Sequence, residues 1–388
     1  MSASAIVIDD DELVRGAICR QLTHLGLSPV EVAGDGADAT LKLLRTGPYD
    51  VIVLDLMMPG MDGIEFMRQM ASANASADLI LTSSLDHRML ESAESLARAH
   101  KLRILGALAK PVRKSALEAL LALRNKAAGP KRQEAMSPER LRVALQRGYI
   151  IPHYQPKVCA RNGILRSVEA LARWEDPAEG LISPARFIDV AEREGLMTEL
   201  TRTMCSMALR DMRRWREHGF EPDLEINLFA TSLNSIGLPE QMRALSIEHQ
   251  VDPSRVTFEI TESALMSQPA QSLETVTRLR MCGFHLAIDD FGTGFSTLTQ
   301  LRLLPLSELK IDQSFVSNAA RDTGARAIVD SCLRLARDFG LVSVAEGVED
   351  EPTARLLREL GATLLQGYWF ARPMPADALV QWWRTPKR

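Results

Sequence analysis

His285-Leu286-Ala287-Ile288-Asp289-Asp290-Phe291-Gly292-Thr293-Gly294 runs from strand-like apolar sequence straight into two adjacent carboxylates and a glycine-rich turn. Carboxylates paired at the mouth of a buried strand repel each other and lose hydration, and a shared proton or a bound cation resolves the conflict. Taken alone, the stretch could be a surface turn, since Asp and Gly are ordinary turn formers. The same grammar, an apolar strand ending in a polar side chain, recurs along the last two thirds of the chain.

Val168 leads to Glu169, Leu224-Glu225-Ile226 to Asn227, and Val256-Thr257-Phe258 to Glu259. Leu309 leads to Lys310, Val342-Ser343-Val344-Ala345 to Glu346, and Leu364-Leu365 to Gln366. Between these runs lie long amphipathic patterns, over residues 200–218, 273–282 and 325–339. Strands alternating with such helices over about 250 residues predict a TIM-like (β/α) barrel, whose chemistry gathers at the carboxyl ends of its strands. Any single Asn or Glu at a strand end is more simply a cap or a solvated residue. Converging buried carboxylates without cations would be strongly destabilising, however, so the set as a whole points to bound metal. A donor set of carboxylates and one carboxamide, without His or Cys, selects Mg2+ or Mn2+ over zinc. It holds enough ligands for two ions, and two ions sharing a carboxylate suit in-line hydrolysis of a phosphodiester.

The first third of the chain repeats a different rhythm. Ala5 to Ile8 is an apolar run followed by Asp9, Asp10 and Asp11, then a helical pattern through Ile18, Leu22 and Leu25 that Gly26 stops. Further runs end at Ala33, at Asp55, at Thr82 and at Lys110. Five strands alternating with helices predict a doubly wound, flavodoxin-like parallel sheet with Asp9, Asp10, Asp55, Thr82 and Lys110 meeting at its carboxyl edge. Three carboxylates suit a Mg2+ ion, and a hydroxyl and an ammonium remain to hold a small anion, which is the chemistry of a phosphoryl-accepting site. Residues 1–124 form this domain, the polar, Gly-Pro-containing residues 125–137 a linker, and residues 138–388 the barrel domain, opened by Ser137 as N-cap and Pro138 at the first helical position.

Length and charge agree with two domains and narrow the function. At 388 residues the chain exceeds one typical domain. Its 46 basic and 50 acidic residues nearly balance, so it lacks the basic field that DNA binding requires. The cysteines Cys19, Cys159, Cys205, Cys282 and Cys332 are scattered and never form a CxxC pair, which reads as reduced thiols in a cytoplasmic protein. Neither a signal peptide nor an apolar run of about 18 residues is present, so no membrane partner is expected.

Two resemblances sharpen these expectations. Val53-Leu54-Asp55-Leu56-Met57-Met58-Pro59-Gly60-Met61-Asp62-Gly63 with Lys110-Pro111 resembles the receiver domain of bacterial response regulators. That likeness implies Asp55 as phospho-acceptor, Asp9, Asp10 and Asp55 as Mg2+ ligands, Thr82 and Lys110 as phosphoryl contacts, and a sensor histidine kinase as partner. Ala107 stands where many receivers carry a signalling aromatic, so an aromatic relay is not expected. Glu169-Ala170-Leu171-Ala172-Arg173-Trp174 resembles the signature of EAL-domain phosphodiesterases, which hydrolyse cyclic di-GMP. Tyr154-Gln155-Pro156, Glu259-Ile260-Thr261-Glu262, Lys310-Ile311-Asp312, Glu346-Gly347-Val348-Glu349 and Gln366-Gly367-Tyr368 extend the likeness.

The second resemblance implies Glu169, Asn227, Glu259 and Asp289 around one metal, and Asp289, Asp290 and Glu346 around another. Lys310 would position the attacking water, with Glu346 also a proton acceptor. Gln155, Leu171, Arg173, Asp312 and Gln366 would contact the dinucleotide, Glu262 would anchor the loop after Phe291, and Glu349 would support the site. Phe229 departs from a common Ser but removes no ligand. The expected protein is a homo-oligomer, a dimer or larger, in which phosphorylation of Asp55 raises cyclic di-GMP hydrolysis through the loop over residues 291–298. The alternative is a catalytically inactive EAL receptor for the same dinucleotide, which the complete ligand set disfavours.

Overall fold

Four fully buried apolar residues, Ala5–Ile8 (β1), begin the first sheet. In this computed structural model, which describes residues 3–73, 77–84, 87–100, 102–127, 136–292 and 298–385, β1 is joined by Val30–Ala33 (β2), Val51–Asp55 (β3), Asp78–Ser83 (β4) and Arg103–Ala109 (β5). All pairings are parallel, in the order β2-β1-β3-β4-β5. Alternation along the strands divides their side chains between two cores. Ile6, Ile8, Ile52, Leu54, Leu79 and Leu81 enter one, while Ala5, Val7, Val51, Val53 and Ile80 enter the other. A sheet buried on both faces needs such continuous apolar strands, and their polar groups therefore collect at its edge. Asp11 caps the helix Glu12–His24 and Asp62 caps Gly63–Ser72, fixing the loops on either side of Asp55. Gly63 is required there, since a Cβ would lie 2.4 Å from the Asp55 carbonyl oxygen.

Contacts divide the chain into two units, Met1–Glu134 and Ala135–Arg388. The helix Lys114–Ala127 continues through residues 125–127, which the sequence assigned to the linker. An established helix adds each further residue cheaply, and Asn-Lys-Ala offers nothing to stop it. Residues 128–135, the remainder of that linker up to Met136, lie outside the described residues. Ser137 then caps Pro138–Arg147, its Oγ accepting from the Arg140 N–H at 3.2 Å.

Nine strands follow among the described residues of the second unit: Ile150–Cys159 (β6), Leu165–Asp176 (β7), Gly180–Ile182 (β8), Asp223–Leu228 (β9), Val256–Thr261 (β10), His285–Phe291 (β11), Glu308–Ile311 (β12), Val342–Ala345 (β13) and Leu364–Gln366 (β14). From β7 through β9 to β14 the neighbours are parallel. β6 closes the barrel and is antiparallel to both β7 and β14, while β8 pairs only with the far end of β7. This corrects the expected seven polar-ended strands in two respects. β6 was missed because Pro152 and Pro156 interrupt its sequence, and proline cannot donate to a ladder. Glu169 lies within the twelve-residue β7 and not at its end, because β7 continues alongside β6 and β8 to Asp176. Helices including Met197–Glu217, Pro269–Met281, Thr323–Asp338 and Glu351–Leu360 surround the barrel. Among the described residues no helix is long and apolar enough to cross a membrane, and all five cysteines are free.

Candidate active site

A regular strand would send Asp289 and Asp290 to opposite faces. The register between β11 and β12 shifts after Ile288, and Asp290 adopts a left-handed backbone with φ of 54°. Such a conformation is unusual for a residue with a side chain and persists where the surroundings demand it. The bulge turns both carboxylates to one side, and oxygens of Asp289, Asp290 and Glu346 lie within 4.8 Å of one another. Glu346 follows β13 directly, its N–H held by the Ile311 carbonyl.

The neighbouring strands complete the nest. Residues two apart on a strand share a face, so Gln155 and Lys157 on β6, Ser167 and Glu169 on β7, Glu225 and Asn227 on β9, and Glu308 and Lys310 on β12 each enter the barrel as a pair. Lys310 is 1% exposed, and its Nζ lies 2.7 Å from Glu346, 2.8 Å from Glu259, 3.0 Å from Asp289 and 3.9 Å from Glu169. Asn227 Nδ2 donates to Glu169 Oε1 at 2.9 Å, and Gln366 Nε2 donates to Glu169 Oε2 at 2.6 Å and to Gln155 Oε1 at 3.1 Å. Gln366 Oε1 is buried without a hydrogen-bond partner among the described residues.

The electrostatics show a site short of positive charge. Burial pushes Glu346 up to about 8 even though Lys310 opposes it, and burial with the neighbouring Asp289 charge pushes Asp290 up to about 6. Burial also drives Glu259 well above the carboxylate range. Glu169 goes the other way, to about 2, because Lys310, Lys157 and the Gln366 and Asn227 amides together outweigh its burial. Lys310 is buried too, yet the surrounding carboxylates hold its pKa well above the ordinary lysine value. The Lys310 ammonium is thus shared among four carboxylates, one of which Lys157 also contacts, and a hard divalent cation fits the unbalanced oxygen-rich nest.

Two hollows adjoin the nest and share Glu169, Leu171 and Asp289. One, of about 330 Å³, is lined by Arg173, Ile188, Met204 and Phe229; the other, of about 210 Å³, by Gln155, Lys310, Glu346 and Tyr368. Arg173 is half-buried in the larger hollow and bonds to the Ala172 carbonyl at 2.8 Å. Of the two glutamines expected as dinucleotide contacts, Gln366 donates to Glu169, while Gln155 accepts from Gln366 and donates to the Ala371 carbonyl at 3.2 Å. Asp312 accepts from the Ser314 N–H as the N-cap of Gln313–Val316. Glu349 is exposed on the rim of the smaller hollow. Glu262 is buried at the start of the helix Glu262–Ser267, and residues 293–297 of its expected loop partner lie outside the described residues.

Sequence reasoning did not single out the floor beneath this site. Lys157, with no solvent exposure, donates to Glu225, to Glu259 Oε1 at 2.8 Å and to Glu308 at 3.4 Å, and Ser167 donates to Glu225. The available signal was a lysine set between Pro156 and Val158 in an apolar run.

The first unit carries a smaller acidic site at the carboxyl ends of β1 and β3. Asp9, Asp10 and Asp55 form a cluster able to hold a cation, and Lys110 Nζ lies 2.6 Å from Asp55 and 2.7 Å from Asp9. Burial raises the Asp55 pKa against the pull of Lys110. Thr82 lies opposite Asp55 in the β3–β4 register, and its buried Oγ1 has no hydrogen-bond partner among the described residues.

Comparison with known proteins agrees with this division. The EAL domain family matches residues 138–373, and the response regulator receiver domain family matches residues 5–122. The chain is 35% identical to the cyclic di-GMP phosphodiesterase RocR of Pseudomonas aeruginosa, covering 98% of each chain. Among solved structures, the MucR phosphodiesterase in complex with cyclic di-GMP matches with a TM-score of 0.60 and 42% identity, covering 62% of this chain and 98% of that one. The EAL domain of Mycobacterium smegmatis DcpA matches with a TM-score of 0.53 and 33% identity, covering 61% of this chain and 100% of that one.

Proposed function

This chain belongs to the EAL-domain family and carries a response regulator receiver domain ahead of its barrel, and on that footing we propose that it hydrolyses cyclic di-GMP to the linear dinucleotide pGpG under control of the receiver. The observation that carries the reading is the convergence of Glu169, Asn227, Glu259, Asp289, Asp290 and Glu346 around Lys310 at one end of the barrel.

Glu169, Asn227, Glu259 and Asp289 would hold one cation, and Asp289, Asp290 and Glu346 a second, with Mg2+ or Mn2+ suited to this all-oxygen set. Asn227 spends its amide N–H on Glu169, which leaves its carbonyl oxygen as the ligand atom. When bound, the ions supply charge stabilisation for an in-line displacement at phosphorus. The chain's own groups do the rest. With its carboxylate partners given over to cations, the Lys310 ammonium is the donor that orients the attacking water. That water loses its proton to Glu346, its oxygen bonds to phosphorus, the P–O3′ bond breaks, and the 3′ oxygen takes up a proton from solvent. Arg173 supplies a half-buried guanidinium for the phosphates, and the hollow bounded by Leu171, Ile188, Met204 and Phe229 offers an apolar wall to a base. In the first unit, Asp55 would accept the phosphoryl group from a sensor kinase, with a Mg2+ ion on Asp9, Asp10 and Asp55 and with Thr82 and Lys110 holding the phosphoryl oxygens.

Purified full-length protein incubated with cyclic di-GMP and Mg2+ tests the reading. Wild type should release pGpG, Asp289→Ala should be inactive, and Lys310→Ala should lower kcat far more than it raises KM. Binding of cyclic di-GMP without turnover by the wild type would instead show a receptor.

A further inference from the structure

The charged network in the barrel has two storeys, and Glu259 belongs to both. Its Oε1 accepts from Lys157 below, and its Oε2 faces Lys310 above at 2.8 Å. Lys157 is itself tied down by Glu225 and Glu308, while Ser167 holds the other oxygen of Glu225. These side chains are all nine-tenths or more buried. The antiparallel direction of β6 creates the arrangement. Running down the barrel, it sets Gln155 beside Gln366 in the upper storey and Lys157 two residues later in the lower one.

We propose that Lys157 is a positioning residue of the active site: anchored by Glu225 and Glu308, it grips Oε1 of Glu259 and leaves Oε2 as the single oxygen presented to a cation.

This inference rests on the reading of Glu259 as a metal ligand. Stability alone does not account for the floor, because replacing a buried ion network of this kind with well-packed apolar side chains is often neutral or stabilising. A carboxylate with both oxygens free can swing or bind through either, whereas one held at a single oxygen has a fixed aim. Partners of this kind, behind the ligands themselves, commonly change metal affinity by about 10- to 100-fold when removed. A lysine suits the position because its three N–H donors match three carboxylates.

Binding of Mn2+ to the full-length protein on an Asp9→Asn, Asp10→Asn background, which removes the cation site of the first unit, is followed by the loss of the free-ion electron paramagnetic resonance signal and provides the test without reference to activity. Lys157→Met alone strands Glu225 and Glu308 as unpaired buried charges and threatens the fold. The deciding variant is therefore Lys157→Met combined with Glu225→Gln and Glu308→Gln, which leaves the floor neutral. It should melt near the wild-type temperature and bind Mn2+ about 10- to 100-fold more weakly. At saturating Mn2+ its KM for cyclic di-GMP should stay close to the wild-type value. Wild-type Mn2+ affinity in this variant would overturn the proposal and reduce Lys157 to a counter-ion for the floor. Glu259→Gln tests the ligand assignment itself: it should lose Mn2+ binding at the barrel site, and wild-type binding there would overturn that assignment.

Discussion

Glu346 and Asp290 carry a stability signature that follows from their burial. In the metal-free protein their pKa values rise to about 8 and about 6, above those of exposed carboxyl groups. A carboxyl whose folded pKa is raised binds its proton more tightly in the native state, so its favourable contribution is complete below the unfolded pKa and is lost as pH climbs through the folded value. The metal-free protein should therefore weaken as pH rises from the ordinary carboxylate range towards 8. A divalent cation competes with those protons, so the rise in Tm on adding Mg2+ should grow across the same window. Scanning calorimetry with Mg2+ and with chelator at several pH values checks this, and a Mg2+-induced shift that shrinks as pH rises would contradict it. The identity of these groups was legible in the sequence because each follows a short apolar run. Their electrostatic state was not, since it depends on how few cations the fold brings to them. Lys157 shows the same limit: its three carboxylate partners lie 68, 102 and 151 residues away.

At the scale of the element, the bulge in β11 and the direction of β6 decide which side chains meet. The adjacent aspartates of β11 signalled a site, but alternation alone could not have placed both on one face; the left-handed Asp290 does that. β6 was hidden by its prolines and its direction could not be read at all, because antiparallel closure is a property of the pairing with β7 and β14. Glu169 enters the nest from a strand interior, where the sequence reading put it at a strand end. The turn after β14 gives a prediction at this scale. A Cβ on Gly367 would lie 2.1 Å from the Val348 carbonyl oxygen and 2.3 Å from its nitrogen, so two backbone segments must touch there to seat Gln366 and Tyr368. Backbone cannot yield as a flexible side chain can. Gly367→Ala should cost about 1–3 kcal/mol by overpacking and lower turnover as Gln366 shifts from Glu169. A melting temperature and kcat both equal to wild type would show that the contact is not needed.

Across the whole molecule, the acidic cluster at Asp55 and the carboxylate nest around Lys310 belong to different compact units. Under the proposed control, a phosphoryl group on Asp55 would act by biasing an element with two states, because the coupling of two sites is a free energy shared between conformations. Beryllofluoride, which mimics an aspartyl phosphate, should raise turnover of the wild type and leave Asp55→Asn unchanged. An equal response in the two proteins would remove Asp55 from the control of the barrel.

Hydrolysis of cyclic di-GMP breaks a single P–O3′ bond, and the oxygen that water delivers marks where it broke. Full-length protein, cyclic di-GMP and Mg2+ are incubated in heavy-oxygen water, and the product is fragmented in a mass spectrometer. The expected product is a linear dinucleotide heavier than the substrate by one heavy-oxygen water, with the heavy atom on its terminal 5′ phosphate. Unchanged cyclic dinucleotide, or a linear product whose heavy oxygen sits on the ribose, would contradict it.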